Sequence, residues 1–259
     1  MTDKNEERSS QGVGIVLRAG WALLSALVVE TVVFGFSVLP AALFWEWHLH
    51  WNQASGWLRI VTLSMSFIPA YLLFALALMV LSALATRATG WRSPRGVELR
   101  LDDVDWPLLD WVRYTISIHM VRIFAGTLFR ATPVWTFYMR LNGARLGRGV
   151  YVNSLAVTDH NLLEFDDGVV IGGGVHLSGH TVERGVLKTA PVRLGKGVTV
   201  GLGSVVDIGV EAGDGCQIGA LSFVPKFSRL EAGAVYVGIP VRKLEGTAAP
   251  PVEHGVPHA

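Results

Sequence analysis

Asp159, His160, His176 and His180 crowd into one short stretch of a chain that is otherwise poor in charge. A histidine oriented by a carboxylate is a general base suited to neutral pH. Three histidines can also hold zinc with one position left open. The plain alternative is that all three are surface-turn residues. Deciding between these requires knowing whether Asp159, His160 and His180 meet in space, and that depends on the elements that carry them.

Those elements announce themselves from Leu194 to Val235. The chain there reads in sixes: Leu194-Gly-Lys-Gly-Val-Thr, Val200-Gly-Leu-Gly-Ser-Val, Val206-Asp-Ile-Gly-Val-Glu, and on to Leu230-Glu-Ala-Gly-Ala-Val. Each sextet opens on an apolar residue. The fifth place is always small or β-branched: Val198, Ser204, Val210, Cys216, Ser222, Ser228, Ala234. A period of six matches neither a helix nor a lone strand. It fits a prism-shaped solenoid with one short strand and one tight turn per sextet, three sextets to the coil. The first residue fills the axis, and glycine supplies the turn dihedrals that side chains resist.

Upstream, Leu146-Gly-Arg-Gly-Val-Tyr is the first clear sextet, and from Asn153 to Leu177 the period persists with a one-residue slip through Phe165-Asp-Asp-Gly-Val-Val, Ile171-Gly-Gly-Gly-Val-His and Leu177-Ser-Gly-His-Thr-Val, then breaks over Glu183 to Ala190. The break predicts a loop inserted into the solenoid, and such loops build surface sites. A coil of about eighteen residues puts His160 roughly one coil below His176 to His180, at a spacing of about 4.8 Å. Asp159, His160 and His180 are therefore expected to converge beside the loop. Cys216 occupies a small-residue place and reads as core filler. As the single cysteine it excludes an intrachain disulfide.

The first half is different in kind. Of 259 residues, 51% are hydrophobic and only 17% charged, with a mean hydropathy of +0.41, and the apolar excess lies before the sextets. Two apolar runs, about Gly20 to Trp45 and Ile60 to Ala85, are each long enough to cross roughly 30 Å of hydrocarbon as helices. Trp45, Trp47, Trp51 and Trp57 between them suit a membrane interface, and His48 and His50 read as solvated neighbours rather than ligands. Lys4, Arg8 and Arg18 precede the first run, and Arg87, Arg92, Arg95 and Arg100 follow the second. The loop between offers only Arg59, so both ends are expected in the cytoplasm. Glu30 falls mid-span, at a cost of about 2.5–3.5 kcal/mol; it is a functional group or one paired to another helix. Pro40 and Pro69 are expected to kink or end helical turns. Trp91 to Asp105 reads as a polar linker. Trp106 to about Arg130 reads as an amphipathic helix that lies on the membrane or caps the solenoid.

The expected organisation is thus a mobile tail over 1–19, a two-helix hairpin over 20–86, a linker with an interfacial helix over 87–141, a β-solenoid over 142–245, and a disordered tail over 246–259. A net charge of +1 gives no reason to expect nucleic acid as a partner.

Ser204-Val-Val and the closing Gly238-Ile-Pro-Val-Arg-Lys resemble signatures of hexapeptide-repeat acyltransferases, whose fold is an all-β left-handed parallel β-helix. Asn153, Asp159, Ile171-Gly, Ser178-Gly-His180 and Pro191-Val-Arg-Leu-Gly follow the order found in the maltose/galactoside acetyltransferase branch; Thr181 stands where that branch has proline. The resemblance implies His180 as the catalytic base, with Asp159, His160 and Asn153 in the catalytic set. It implies donor and substrate contacts at His176, Glu183, Ser204, Ser222, Lys226, Arg242 and Lys243, the three basic residues meeting donor phosphates unless they form a solvated face. Zinc carbonic anhydrases of similar fold space their paired histidines differently, so no metal is expected.

From about residue 20 to 245 the chain also resembles one unit of the membrane-bound C-terminal region of ε-poly-lysine-synthetase-type nonribosomal peptide synthetases. Thr158-Asp-His-Asn-Leu-Leu-Glu-Phe and Ser178-Gly-His-Thr-Val-Glu-Arg-Gly carry that resemblance. It implies amide-bond formation from a phosphopantetheine thioester, on a carrier protein or on CoA, with no permanently bound cofactor. It also implies a homotrimer, with adenylation and carrier proteins as partners. A non-catalytic scaffold for a synthetase is the rival expectation.

Overall fold

The computed structural model describes residues 2–245, with side chains from residue 12 onward. The tail expected over 246–259 lies outside the described residues. The chain divides into two units, 1–129 with 137–142 and 182–187, and 130–136 with 143–181 and 188–259.

The first unit is helical. Helix α1 runs Thr2–Trp51 without a break, so the tail expected over 1–19 is helical in its described part. Pro40 lies inside it, and the helix continues through. Two helices make the second run: α2 is Trp57–Met65 and α3 is Phe67–Thr89. They part at Ser66, whose N–H still donates to Thr62 and Leu63 carbonyls. Pro69, the third residue of α3, has no N–H to donate back to the previous turn, which explains an interruption at this point. Gly90 ends α3 in the left-handed conformation. The apolar stretches of α1 (Gly12–Trp51) and of α2 with α3 (Trp57–Thr89) are long and apolar enough to cross a membrane. Glu30 accepts a hydrogen bond from Ser117 Oγ, so the mid-span carboxyl has a partner within the same chain.

The predicted linker holds a short strand, Glu98–Arg100, and a 3-10 turn, Leu101–Asp103. The predicted amphipathic helix is α4, Trp106–Val121, continued by a π turn over Arg122–Gly126 and by α5, Thr127–Phe129. Its apolar face, with Leu109, Ile118 and Val121, is buried. Helix α6 is Pro133–Leu141.

The second unit is the expected coil. Three parallel sheets form its walls. One runs through Arg145–Leu146, Leu163–Phe165, Val192–Leu194, Glu211–Ala212 and Arg229–Leu230; the next through Tyr151–Val152, Val170–Ile171, Thr199–Val200, Gln217–Ile218 and Val235–Val237; the third through His176–Leu177, Val205–Val206 and Phe223–Val224. Each strand is the last residue of one sextet and the first of the next. The first residue points to the axis: Val200, Val206, Val224 and Ile218 are all at most 2% exposed. In the upper coils Thr199 pairs with Gln217, and Gln217 with Val235, a strict repeat. Arg130 to Thr136 belong to this unit, where the Ala131 N–H donates to Val152 O and Trp135 is fully buried. At the other end the chain folds back, Arg242–Lys243 pairing antiparallel with Val235–Val237. Both ends of the coil are thereby covered, as an open solenoid requires.

Candidate active site

The repeat fails at one corner in two successive coils. Inward residues Leu146 and Val152 keep the six-step. The next, Val157, comes one residue early and bridges Leu177. Phe165 follows only after a 3-10 turn over His160–Leu162. Asp159 opens that turn with φ 53, in the left-handed region that costs a non-glycine residue about 1–2 kcal/mol. One coil later, the same corner expands into a hairpin of strands His180–Glu183 and Val186–Thr189. Its two-residue turn is Arg184–Gly185, both at positive φ (50 and 76), as tight hairpins require. The expected loop is therefore an ordered hairpin.

These expansions bring Asp159 against His180. The Nδ1–H of His180 donates to Asp159 Oδ2 at 2.5 Å. The same oxygen accepts from Gly179 N–H at 3.2 Å and from Thr158 Oγ1 at 3.1 Å. Ser178 Oγ lies 3.2 Å from Asp159 Oδ2 and 3.0 Å from His180 Nδ1, and it accepts from the His180 N–H. Asp159 is 3% exposed, while the His180 side chain is 25% exposed. A proton fixed on Nδ1 makes Nε2 the basic nitrogen. Partial burial disfavours the charged ring, but the hydrogen bond and the charge of Asp159 outweigh it and hold the His180 pKa above its ordinary value. Gly179 permits the approach. A Cβ there would stand 2.7 Å from Leu162 Cδ1 and 3.1 Å from Asp159 Cβ.

The other expected site residues are placed less centrally. His160 does not orient His180: it is fully buried, its Nε2 lies 3.2 Å from Val157 O, and its ring meets Trp135 edge-on at 6.1 Å. It anchors the base of the coil because the 3-10 turn directs it inward. Asn153 stands one corner earlier, its Nδ2 3.5 Å from where a Cβ on Gly173 would lie. His176 is exposed on the third sheet, paired in register with Val205. Ser204 and Ser222 point to the axis rather than to solvent. They are 0% and 2% exposed, with Ser204 Oγ donating to Gly219 O at 2.8 Å and Ser222 Oγ accepting from Gly238 N–H. Buried hydroxyls with backbone partners are structural, so these two do not present themselves to a donor. Glu183 is exposed on the hairpin and Lys226 is half-buried at a corner. Arg242 and Lys243 are exposed at the closing strand, Lys243 Nζ lying 2.5 Å from Glu231 Oε2. Cys216 is core as read, and burial pushes its thiol up to about 11. Thr158, Ser178 and Gly179 lie within the motifs that carry the family resemblance but have no role assigned there; each contacts Asp159 Oδ2.

A buried carboxylate holding an imidazole in one tautomer, on a sextet coil, is an arrangement in which Nε2 can act as a base. No protein-family model matches the chain. Over 118 residues it is 33% identical to galactoside O-acetyltransferase of Escherichia coli (strain K12), covering 42% of this chain and 56% of that protein. Over 111 residues it is 24% identical to delta-poly-L-ornithine synthetase of Acinetobacter baumannii (strain AB307-0294), covering 43% of this chain and 8% of that protein. The chain spans just over half of the former and a small part of the latter. Among solved structures, a maltose O-acetyltransferase from Clostridium difficile 630 matches 57% of this chain and 91% of its own, at 18% identity and a TM-score of 0.41. In its sextets and in these sequence relatives, the chain is similar to hexapeptide-repeat acyltransferases.

Proposed function

We propose that this protein is a membrane-anchored acyltransferase that moves an acyl or aminoacyl group from a phosphopantetheine thioester to an amine, forming an amide. The observation that carries the reading is the Asp159–His180 hydrogen bond at the expanded corner. Nε2 of His180 takes the proton from the acceptor nitrogen as it bonds to the thioester carbonyl carbon. The carbonyl oxygen becomes an oxyanion, which a backbone N–H of a glycine-rich turn can stabilise. Collapse breaks the C–S bond, and the leaving thiolate takes the proton back from the imidazolium. Asp159 acts as a positioning residue that fixes the ring and stabilises its charged form.

The coil is taken as left-handed and the assembly as a homotrimer with the donor arm between neighbouring solenoids. Lys226, Arg242 and Lys243 are then the basic residues that meet donor phosphates. The two apolar runs span the membrane, with the solenoid on the cytoplasmic side, where CoA and carrier proteins are found. The sequence match to a poly-ornithine synthetase favours an aminoacyl donor on a carrier protein and an amine acceptor, with adenylation and carrier proteins as partners. The closer match to galactoside O-acetyltransferase favours a second reading, acetyl transfer from acetyl-CoA to a hydroxyl.

The test is product mass spectrometry with purified protein and its His180→Gln variant. An aminoacyl-loaded carrier protein plus amines is one arm, and acetyl-CoA plus amines or sugars is the other. We expect an amide from the carrier arm and a fall in turnover of about 100-fold or more in the variant, at an unchanged melting temperature. An O-acetyl product would select the second reading. Unchanged turnover in His180→Gln would overturn both.

A further inference from the structure

We infer that Ser178 tempers the base: its hydroxyl donates to the Asp159 oxygen that His180 also uses, so the carboxylate fixes the ring while holding its proton less tightly. The inference rests on His180 as the base. Ser178 acts through Asp159 and is a positioning residue.

The fold sets two hydroxyls at this oxygen. Val157 bridges Leu177 of the neighbouring coil, and the Thr158 N–H donates to Leu177 O. The residues that follow, Thr158 and Ser178, therefore stand one above the other where the corner begins to expand, their Oγ atoms 3.2 Å apart. From there both reach Asp159 Oδ2, Thr158 at 3.1 Å and Ser178 at 3.2 Å. Gly179 N–H and His180 Nδ1 approach the same atom, at 3.2 and 2.5 Å. Ser178 is 5% exposed and Asp159 3%. A carboxylate charge so placed depends on protein donors rather than on water.

These donors draw on one negative charge. A carboxylate with several partners stays ionised, and its affinity for any further proton falls. The imidazole is the partner that gains a proton in the reaction, so a hydroxyl on the same oxygen weakens the hold on the imidazolium. A base works best with its pKa near the operating pH. Asp159 raises that of His180, and Ser178 keeps the rise in check. The Ser178 proton has a second acceptor in reach, His180 O at 2.9 Å. The carboxylate is the stronger claimant, because a charge-assisted hydrogen bond is roughly twice as strong as a neutral one. On its acceptor side Ser178 Oγ takes the His180 N–H at 3.2 Å, which holds the hydroxyl beside the ring.

The other titratable groups on the surrounding elements are His160 beside Asp159, His176 on the preceding strand, Asp207 after the strand paired with it, and Glu183, Arg184 and Lys188 on the hairpin. All are kept in the variants that follow, so a shift between variant and parent belongs to the hydroxyl.

The test reads the basicity of His180 without any substrate. The full chain in detergent is treated with diethyl pyrocarbonate, which a neutral imidazole attacks. Peptide mass spectrometry follows the rate of modification at His180 from about pH 5 to about pH 9, a range that spans imidazole titration. The midpoint of the profile reports protonation, whereas reagent access changes only the plateau. We expect Ser178→Ala to move the midpoint up by about half a pH unit or more. Should that variant not fold, Ser178→Cys fills the same place with only a weak donor and carries the same expectation. An unmoved midpoint means that the hydroxyl is committed to the His180 carbonyl, and a lowered one that Ser178 merely holds the ring against Asp159. Either overturns the inference and leaves the base to the product test. A His180 that stays unmodified at every pH overturns the reading of Nε2 as the base as well.

Discussion

At the scale of residues, the site depends on one proton held in one place. Asp159 keeps it on Nδ1 of His180 and raises the pKa of the ring. Catalysis as base needs the neutral imidazole, so activity rises as pH rises through that pKa. In Asp159→Asn the raising influence is gone, and the acid limb of log kcat/KM is expected to move to lower pH while the plateau falls. Unmoved limb and plateau in a pH–rate profile would remove Asp159 from the mechanism. The direction separates this from a structural role, because mere loosening lowers the plateau without moving the limb. Much of this pair was legible in the sequence. A carboxylate and a histidine about one coil apart, beside a break in the period, are enough to place them together. The place of His160 is not legible in the sequence: its neighbour Asp159 takes a left-handed φ of 53, the next side chain is buried, and no residue type announces that. Ser204 and Ser222, which the resemblance places at the donor, are buried instead. They occupy the fifth, small-residue place of the sextet, which lies inward.

At the scale of elements, the turn chemistry of the sextet is uniform except at two corners. The fourth place is glycine at positive φ in Gly197, Gly203, Gly209, Gly215 and Gly233, but it is Leu221 at φ 55 and Phe227 at φ 57. Both side chains are largely exposed, at 67% and 64%, lying over Gly203 and Gly209 of the coil below. Left-handed backbone costs a side-chain-bearing residue about 1–2 kcal/mol, and glycine's extra freedom in the unfolded chain returns about 0.5–1 kcal/mol of that. Leu221→Gly is therefore expected to stabilise the fold by about 0.5–1 kcal/mol, measured by chemical denaturation. A loss of stability would mean that the leucine's packing over Gly203 outweighs its strain. Composition decides the long helices, since apolar length marks α1 and α3 directly. The break at Ser66 follows from Pro69. The continuation of α1 through Pro40 does not follow from sequence, because an uninterrupted helix on either side can carry one missing hydrogen bond.

At the scale of the molecule, an oily helical unit and a glycine-rich coil share one nearly neutral chain, and the coil adds by turns. Its first sheet carries an outward column of side chains: Arg145, Glu164, Arg193, Glu211, Arg229. Neighbours pair at 3.6, 3.0, 2.6 and 3.5 Å. Each pair is exposed enough to contribute little by itself, in the range of 0–1 kcal/mol. Their alternation has a consequence that single pairs do not. The coil acquires a parity. Sliding by one turn would set arginine over arginine and glutamate over glutamate while leaving every apolar residue facing the axis, so charge alone rejects a slip the core would accept. Deleting residues 205–222 joins Ser204 to Phe223, keeps strand register and brings Arg229 over Arg193. The shortened coil is expected to fold with a lowered melting temperature, partly restored by Arg229→Glu and less so in high salt. No gain from Arg229→Glu would mean the column is indifferent to order. A solenoid of this kind can therefore lengthen or shorten freely only by two turns at a time, and its charges keep count.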